Sequence, residues 1–104
     1  MTFTGEIAGA LCSYNHLYKE WVPYTLSFYF PIYYVCYELD LYPNGRYLKS
    51  SFSLVKESAL LTSILEKDIT GKFKHQDFKH FVFATYDYVY EIIARDFKLE
   101  INIS

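Results

Sequence analysis

Residues 33–55 read YYVCYELDLYPNGRYLKSSFSLV. Odd positions Tyr33, Val35, Tyr37, Leu39 and Leu41 are apolar or amphipathic, and they alternate with Cys36, Glu38 and Asp40. That period of two gives a strand one face for a core. After Pro43-Asn44-Gly45-Arg46, Leu48, Phe52 and Leu54 take the apolar places and Lys49, Ser51 and Ser53 the polar ones. Asn-Gly accepts positive φ at both residues and signals a hairpin. With a four-residue loop that accommodates Pro43, Leu41 faces Leu48, Tyr37 faces Phe52 and Val35 faces Leu54. Asp40 then lies across from Lys49, an opposite-charge pair contributing roughly 0.2–1 kcal/mol. A slip of one residue would scatter both faces. The stretch is therefore expected to be a central β-hairpin.

The flanking chain supplies the rest of an α+β domain. In residues 4–21, Ile7, Leu11, Tyr14, Leu17, Tyr18 and Trp21 follow helical spacing, with Thr4 as N-cap and Pro23 as the stop. Residues 24–32 form an extended run whose apolar set is even: Leu26, Phe28, Phe30 and Ile32. Beyond Pro31 the apolar set is odd, so a bend or bulge is expected there, splitting or kinking the strand. In residues 56–69, Leu60, Leu61, Ile64 and Leu65 are spaced for a helix that ends before Gly71. Residues 77–95 have high strand propensity, and Val82, Tyr86, Tyr88 and Ile92 could line a strand face. A helix explains the polar residues better, because His80, Asp87, Glu91 and Arg95 fall on one stripe with Glu91 and Arg95 at i, i+4. Phe97, Leu99, Ile101 and Ile103 alternate with polar residues in a C-terminal strand with one buried face. The expected fold is one domain over 1–104. It has an antiparallel sheet built on the hairpin and the last strand, with helices at about 4–21, 56–69 and 77–95 packed mainly on one face.

Composition narrows the function. The chain has 104 residues, 52% hydrophobic and 21% charged, with net charge −2. That suits a packed core and offers no clustered basic face for nucleic acid. Cys12 and Cys36 lack metal-type spacing and read as reduced thiols in a cytoplasmic protein. The first residues, MTFTGEIAGALC, lack the basic start of a secretion signal. Trp21 to Tyr37 is uncharged but is broken by Pro23 and Pro31, so it is not read as a membrane span, which needs about 20 apolar residues.

No catalytic, cofactor or metal constellation is evident. His75 and His80 are wrongly spaced for one helix face, and His16, His75 and His80 read as solvated. Neither cysteine sits where its thiol would be activated, and no P-loop, G-x-G-x-x-G or G-x-S-x-G occurs. The unusual signal is 12 Tyr, 9 Phe and one Trp. On the outward face of the expected hairpin, Tyr34, Glu38, Asp40, Tyr42, Tyr47 and Lys49 form the candidate partner-binding set. Tyrosine is enriched at protein interfaces, and acidic neighbours suit a basic partner. The expected function is a non-enzymatic protein-binding module: a small acidic inhibitor of one larger, more basic protein, as an immunity protein or a phage anti-defence protein would be. The alternatives are a small-molecule-binding domain or enzyme with a Tyr/His-lined pocket, and a homodimeric structural protein.

Overall fold

A computed structural model describes residues 1–8, 21–48, 52–74, 76–85 and 87–101. The fold is α+β and mostly strand. Its described elements are β1 (Thr2–Ala8), β2 (Trp21–Tyr29), β3 (Tyr33–Glu38), β4 (Phe52–Val55), α1 (Ala59–Glu66), β5 (Lys79–Ala84), β6 (Tyr88–Ala94) and β7 (Asp96–Ile101). They form two antiparallel sheets, β1-β2-β7 and β3-β6-β5-β4. The chain divides into two units, Met1–Tyr29 with Phe97–Ser104 and Phe30–Asp96.

In the first unit β1 runs antiparallel to β2, with Phe3 opposite Leu26, Gly5 opposite Tyr24 and Glu6 opposite Pro23. Phe3 meets Phe28 edge to face, and Leu26 and Phe28 are buried. The other face carries Thr2, Thr4, Thr25 and Ser27, with the Thr2 and Ser27 hydroxyls 3.3 Å apart. A Cβ at Gly5 would stand 2.9 Å from the Tyr24 hydroxyl, so this close approach requires glycine. The expected helix over 4–21 is therefore corrected at its start. Residues 4–8 are strand, because Thr2, Thr4 and Glu6 alternate with Phe3, Gly5 and Ile7 and pair with β2. Pro23 lies inside β2 rather than ending a helix. Residues 9–20 of that expectation lie outside the described residues. The expected C-terminal strand is present as β7, but Phe97 and Leu99 are exposed, against the expected buried face.

The parity switch near Pro31 marks a real break. Phe30 takes φ 55, and the chain leaves one sheet and enters the other. In the second unit the two middle strands come from residues 79–94, the segment expected to be a helix. Phe81 and Phe83 project to one face, Val82 and His80 to the other, and all four are buried, as are Val89, Ile92 and Ile93. A strand covered on both faces has no need to alternate, which is why its pattern does not read as period two. Thr85 closes the β5–β6 turn. Its amide donates to the Tyr88 carbonyl at 2.8 Å, and its Oγ1 accepts from the Tyr88 amide at 3.1 Å.

The expected 33–55 hairpin does not form. β3 and β4 occupy opposite outer positions of the sheet, with β6 and β5 between them. Val35 faces Glu91 and Tyr37 faces Val89, while Phe52 faces Phe83 and Leu54 faces Phe81. The connection folds into two 3-10 turns, Leu39–Leu41 and Gly45–Tyr47. Asn44 has φ −113, so Asn-Gly does not adopt the positive φ of a tight hairpin turn. Glu38 caps the first turn instead, accepting from the Asp40 amide at 3.0 Å. Leu41 and Leu54, expected in the core, are exposed.

The helix expected over 56–69 is present as Ala59–Glu66. Ser58 caps it, accepting from the Leu61 amide at 3.0 Å. Gly71, at φ 74, follows the helix as expected. Asp68 ties down the segment beyond the helix, accepting from the Phe73 amide at 2.6 Å and the Thr70 hydroxyl at 2.9 Å.

The two pairings make opposite predictions for stability. Ile92→Ala should cost about 2–5 kcal/mol, since Ile92 is buried in the middle of the sheet. Leu54→Ser, at a position 50% exposed, should stay within about 0.5 kcal/mol. Urea midpoints of the two variants check this, and a 33–55 hairpin would make Leu54 costly.

Candidate functional site

One face of the four-stranded sheet carries a chain of polar groups across its core. His80 on β5 and Glu91 on β6 are diagonal neighbours, because His80 pairs with Ile93 and Glu91 with Val82. His80 Nε2 lies 2.7 Å from Glu91 Oε1, and His80 Nδ1 lies 2.7 Å from Ser58 Oγ. Ser58, His80 and Glu91 are 6%, 2% and 3% exposed. An ionised carboxylate only accepts, so Nε2 carries the proton donated to Glu91. Nδ1 then accepts from the Ser58 hydroxyl, and Ser58 Oγ in turn accepts from Leu61 N–H. Asn44 Nδ2 donates to the second Glu91 oxygen at 3.3 Å. Two rings cover this chain: Tyr47 stands edge-on to His80 at 6.1 Å, and Tyr42 packs on Tyr37 at 5.2 Å. The buried Tyr42 hydroxyl has no hydrogen-bond partner within range among the described residues. Its pKa is raised well above the ordinary tyrosine value, by burial first and then by the nearby Glu91 carboxylate. Burial pushes the His80 pKa below its ordinary value, and the Glu91 hydrogen bond and charge oppose that shift.

These placements correct two expectations. His80 is not solvated but sealed, and Glu91 pairs with it rather than with Arg95. The Arg95 guanidinium instead lies over the Phe30 ring at 5.9 Å. His16 and His75 lie outside the described residues. Among the described residues no group of three His, Cys, Asp or Glu side chains is placed to hold a metal ion. No helix there is long and apolar enough to cross a membrane.

The opposite sheet face holds an aromatic row. Phe52 meets Phe83 at 6.4 Å, Phe83 stacks on Tyr90 at 6.2 Å, and Cys36 follows across the register. Towards β3 this face opens. Tyr34, Cys36 and Glu38 project from β3, and Glu38 pairs with Tyr88 of β6. Tyr34 is 58% and Tyr88 46% exposed, and Cys36 is a free, exposed thiol. Asp40 and Asp87 are also exposed at this end, where the Leu39 amide donates to the Asp87 carbonyl at 2.9 Å. Residues 33–45 contain no Lys or Arg.

The expected partner-binding set is thus divided. Tyr34 and Glu38 share one face of β3, and Asp40 follows them, exposed. Tyr42 and Tyr47 turn to the other face, against Glu91 and His80, because the 3-10 turns carry the chain across rather than back along β3. Lys49 lies outside the described residues. Sequence reasoning did not single out Ser58, and it read Asn44 as a hairpin-turn residue and Asp87 as part of a helix stripe. It placed His80 and Glu91 on a helix stripe, although two polar residues inside a strongly β-forming run were the available signal of a buried pair.

Comparison with known proteins finds no matching family, no matching curated protein and no matching solved structure.

Glu91→Ala leaves the His80 Nε2–H and the Asn44 amide without their acceptor and should destabilise by about 1–3 kcal/mol. Ser58→Ala should cost about 1–3 kcal/mol, through the lost cap and the unsatisfied Nδ1. The lowered His80 pKa also makes stability depend on pH. The unfolded chain binds the proton first, so this contribution is complete above about pH 6.5 and is lost as the pH falls below it. Urea unfolding from pH 7.5 downward should show that slope, and His80→Gln should flatten it.

Proposed function

We propose that the chain is a non-enzymatic protein-binding module. It acts in the cytoplasm as a small acidic inhibitor that blocks one larger, more basic protein, as an immunity protein blocks a nuclease toxin or a phage protein blocks a host defence complex. The observation behind this reading is the exposed face at β3, where Tyr34 and Tyr88 stand beside Glu38, Asp40 and Asp87 with no cation in residues 33–45. Exposed tyrosine supplies large contact area at low entropic cost, and a single sign of charge steers and selects an opposite partner. Tyr42 and Tyr47 serve this reading indirectly, by anchoring the connection that follows β3. Affinity capture from the native host, followed by light scattering, should return one larger protein at fixed stoichiometry. Tyr34→Ala combined with Asp40→Lys should weaken that capture by about 30-fold, the scale of one hot spot. Its melting temperature should not change. Capture unaffected by the double variant counts against this face.

A second reading rests on the Ser58–His80–Glu91 chain. Its connectivity is that of a nucleophile, a base and an orienting acid, with the serine at a helix start. On this reading Ser58 attacks an acyl carbon while His80 Nδ1 takes the hydroxyl proton and returns it to the departing alcohol or amine, Glu91 holds the ring, and water then hydrolyses the acyl-serine ester. Turnover would require Tyr47 to move off His80, and the Ser58 oxygen already accepts from the Leu61 amide. A fluorophosphonate probe should label the protein at Ser58 and fail with Ser58→Ala. A protein that takes no label leaves the chain a structural latch.

A further inference from the structure

The proposed face ends at a strand whose outer backbone is unclaimed among the described residues. Leu39 N bonds Asp87 O, and this fixes the phase of the β3–β6 ladder. Antiparallel bonding alternates, so Tyr33, Val35 and Tyr37 direct their amides and carbonyls at β6. Tyr34, Cys36 and Glu38 direct theirs away from it. Outer strands are commonly guarded by proline or lysine; here Pro31 and the Ile32 amide bonded to the Ile93 carbonyl mark the start of β3, and Tyr34–Glu38 contains neither proline nor lysine. The other outer strand, β4, has 4 residues among those described.

We propose that β3 is a docking edge: an extended basic segment of the partner protein pairs with Tyr34–Glu38 as a fifth strand of the β3-β6-β5-β4 sheet. This rests on the protein-binding reading and adds its mode. Charge selects the occupant. Glu38, Asp40 and Asp87 cluster at one end of the edge, and a second copy of this chain would present the same acidic edge, with no Lys or Arg in residues 33–45. Strand addition takes affinity from main-chain hydrogen bonds and specificity from alternate side chains. On the exposed face the incoming strand sets one residue against Glu38 and another against Tyr34. Those two positions are four residues apart, so the segment carries Lys or Arg at one and Arg or an aromatic at the other, matching the carboxylate and the tyrosine ring.

The test uses a random dodecapeptide phage library selected on the full chain. The best peptide is then synthesised with a fluorescein label and titrated by anisotropy. Selected peptides should carry that four-residue spacing, and their affinity should fall at least 10-fold when alternate peptide amides are N-methylated. Cys36→Pro should cause a similar loss, because it deletes an outward N–H and leaves the β6 ladder intact. If that variant does not fold, the methylated peptide decides alone. Binding that survives methylation but is lost with Tyr34→Ala and Asp40→Lys overturns strand addition and keeps the protein-binding face. A library that yields no enriched peptide overturns strand addition, while capture from the host still judges the broader reading. A dimer by light scattering that Cys36→Pro dissolves overturns it in favour of a second copy.

Discussion

The buried pair between His80 and Glu91 is the constraint around which the larger sheet is arranged. A carboxylate withdrawn from water is tolerable only when its oxygens are hydrogen-bonded. Glu91 lies on a central strand, so each of its partners must come from a different direction. His80 reaches it from the adjacent strand, and Asn44 from the connection after β3. Ser58 then joins His80 to the start of α1. A strand, a loop and a helix cap are tied to one anion, which accounts for the path of the connection between the two outer strands. An apolar residue at position 91 would relieve the desolvation cost and remove the reason for that path.

The same network explains why the chain uses so many tyrosines. Tyr42 and Tyr47 cover the polar chain with rings, as leucine could, yet each brings a polar tip that tolerates a carboxylate or imidazole nearby. Four of the twelve tyrosines thus have two unrelated roles. One is the lid over His80 and Glu91, and the other is the exposed pair Tyr34 and Tyr88 on the far face. Counting tyrosines cannot separate these, because Tyr34, Tyr42 and Tyr47 all fall within the same short stretch.

Local patterns were legible where a strand or helix has one buried side. α1 and the break near Pro31 follow directly from apolar spacing, and so does the placement of Tyr34 and Glu38 on one face of β3; for β7 the spacing gives the strand but not its exposed Phe97 and Leu99. Legibility fails where burial is on both sides. Residues 79–94 are apolar almost throughout, so the period carries no information, and the spacing of His80, Asp87, Glu91 and Arg95 imitates a helix. The 33–55 stretch fails for a different reason. Its alternation is real, but good register between two runs says nothing about whether a third and a fourth strand pair with them first. Here two strands with more apolar surface occupy the middle, and the better-looking hairpin is pulled apart to the edges.

The hydrogen bonds around Glu91 also set an order of assembly. They close loops of 11, 22 and 47 residues, for His80 to Glu91, Ser58 to His80 and Asn44 to Glu91. Each doubling of a flexible loop adds only about 0.6 kcal/mol of closure entropy. The shortest loop closes a hairpin, which forms within roughly 1–10 μs in isolation. Once it exists, Glu91 stands beside His80 and each later closure finds a waiting partner. The long-range pairing of β3 with β6 is then the third of three modest steps rather than one improbable search.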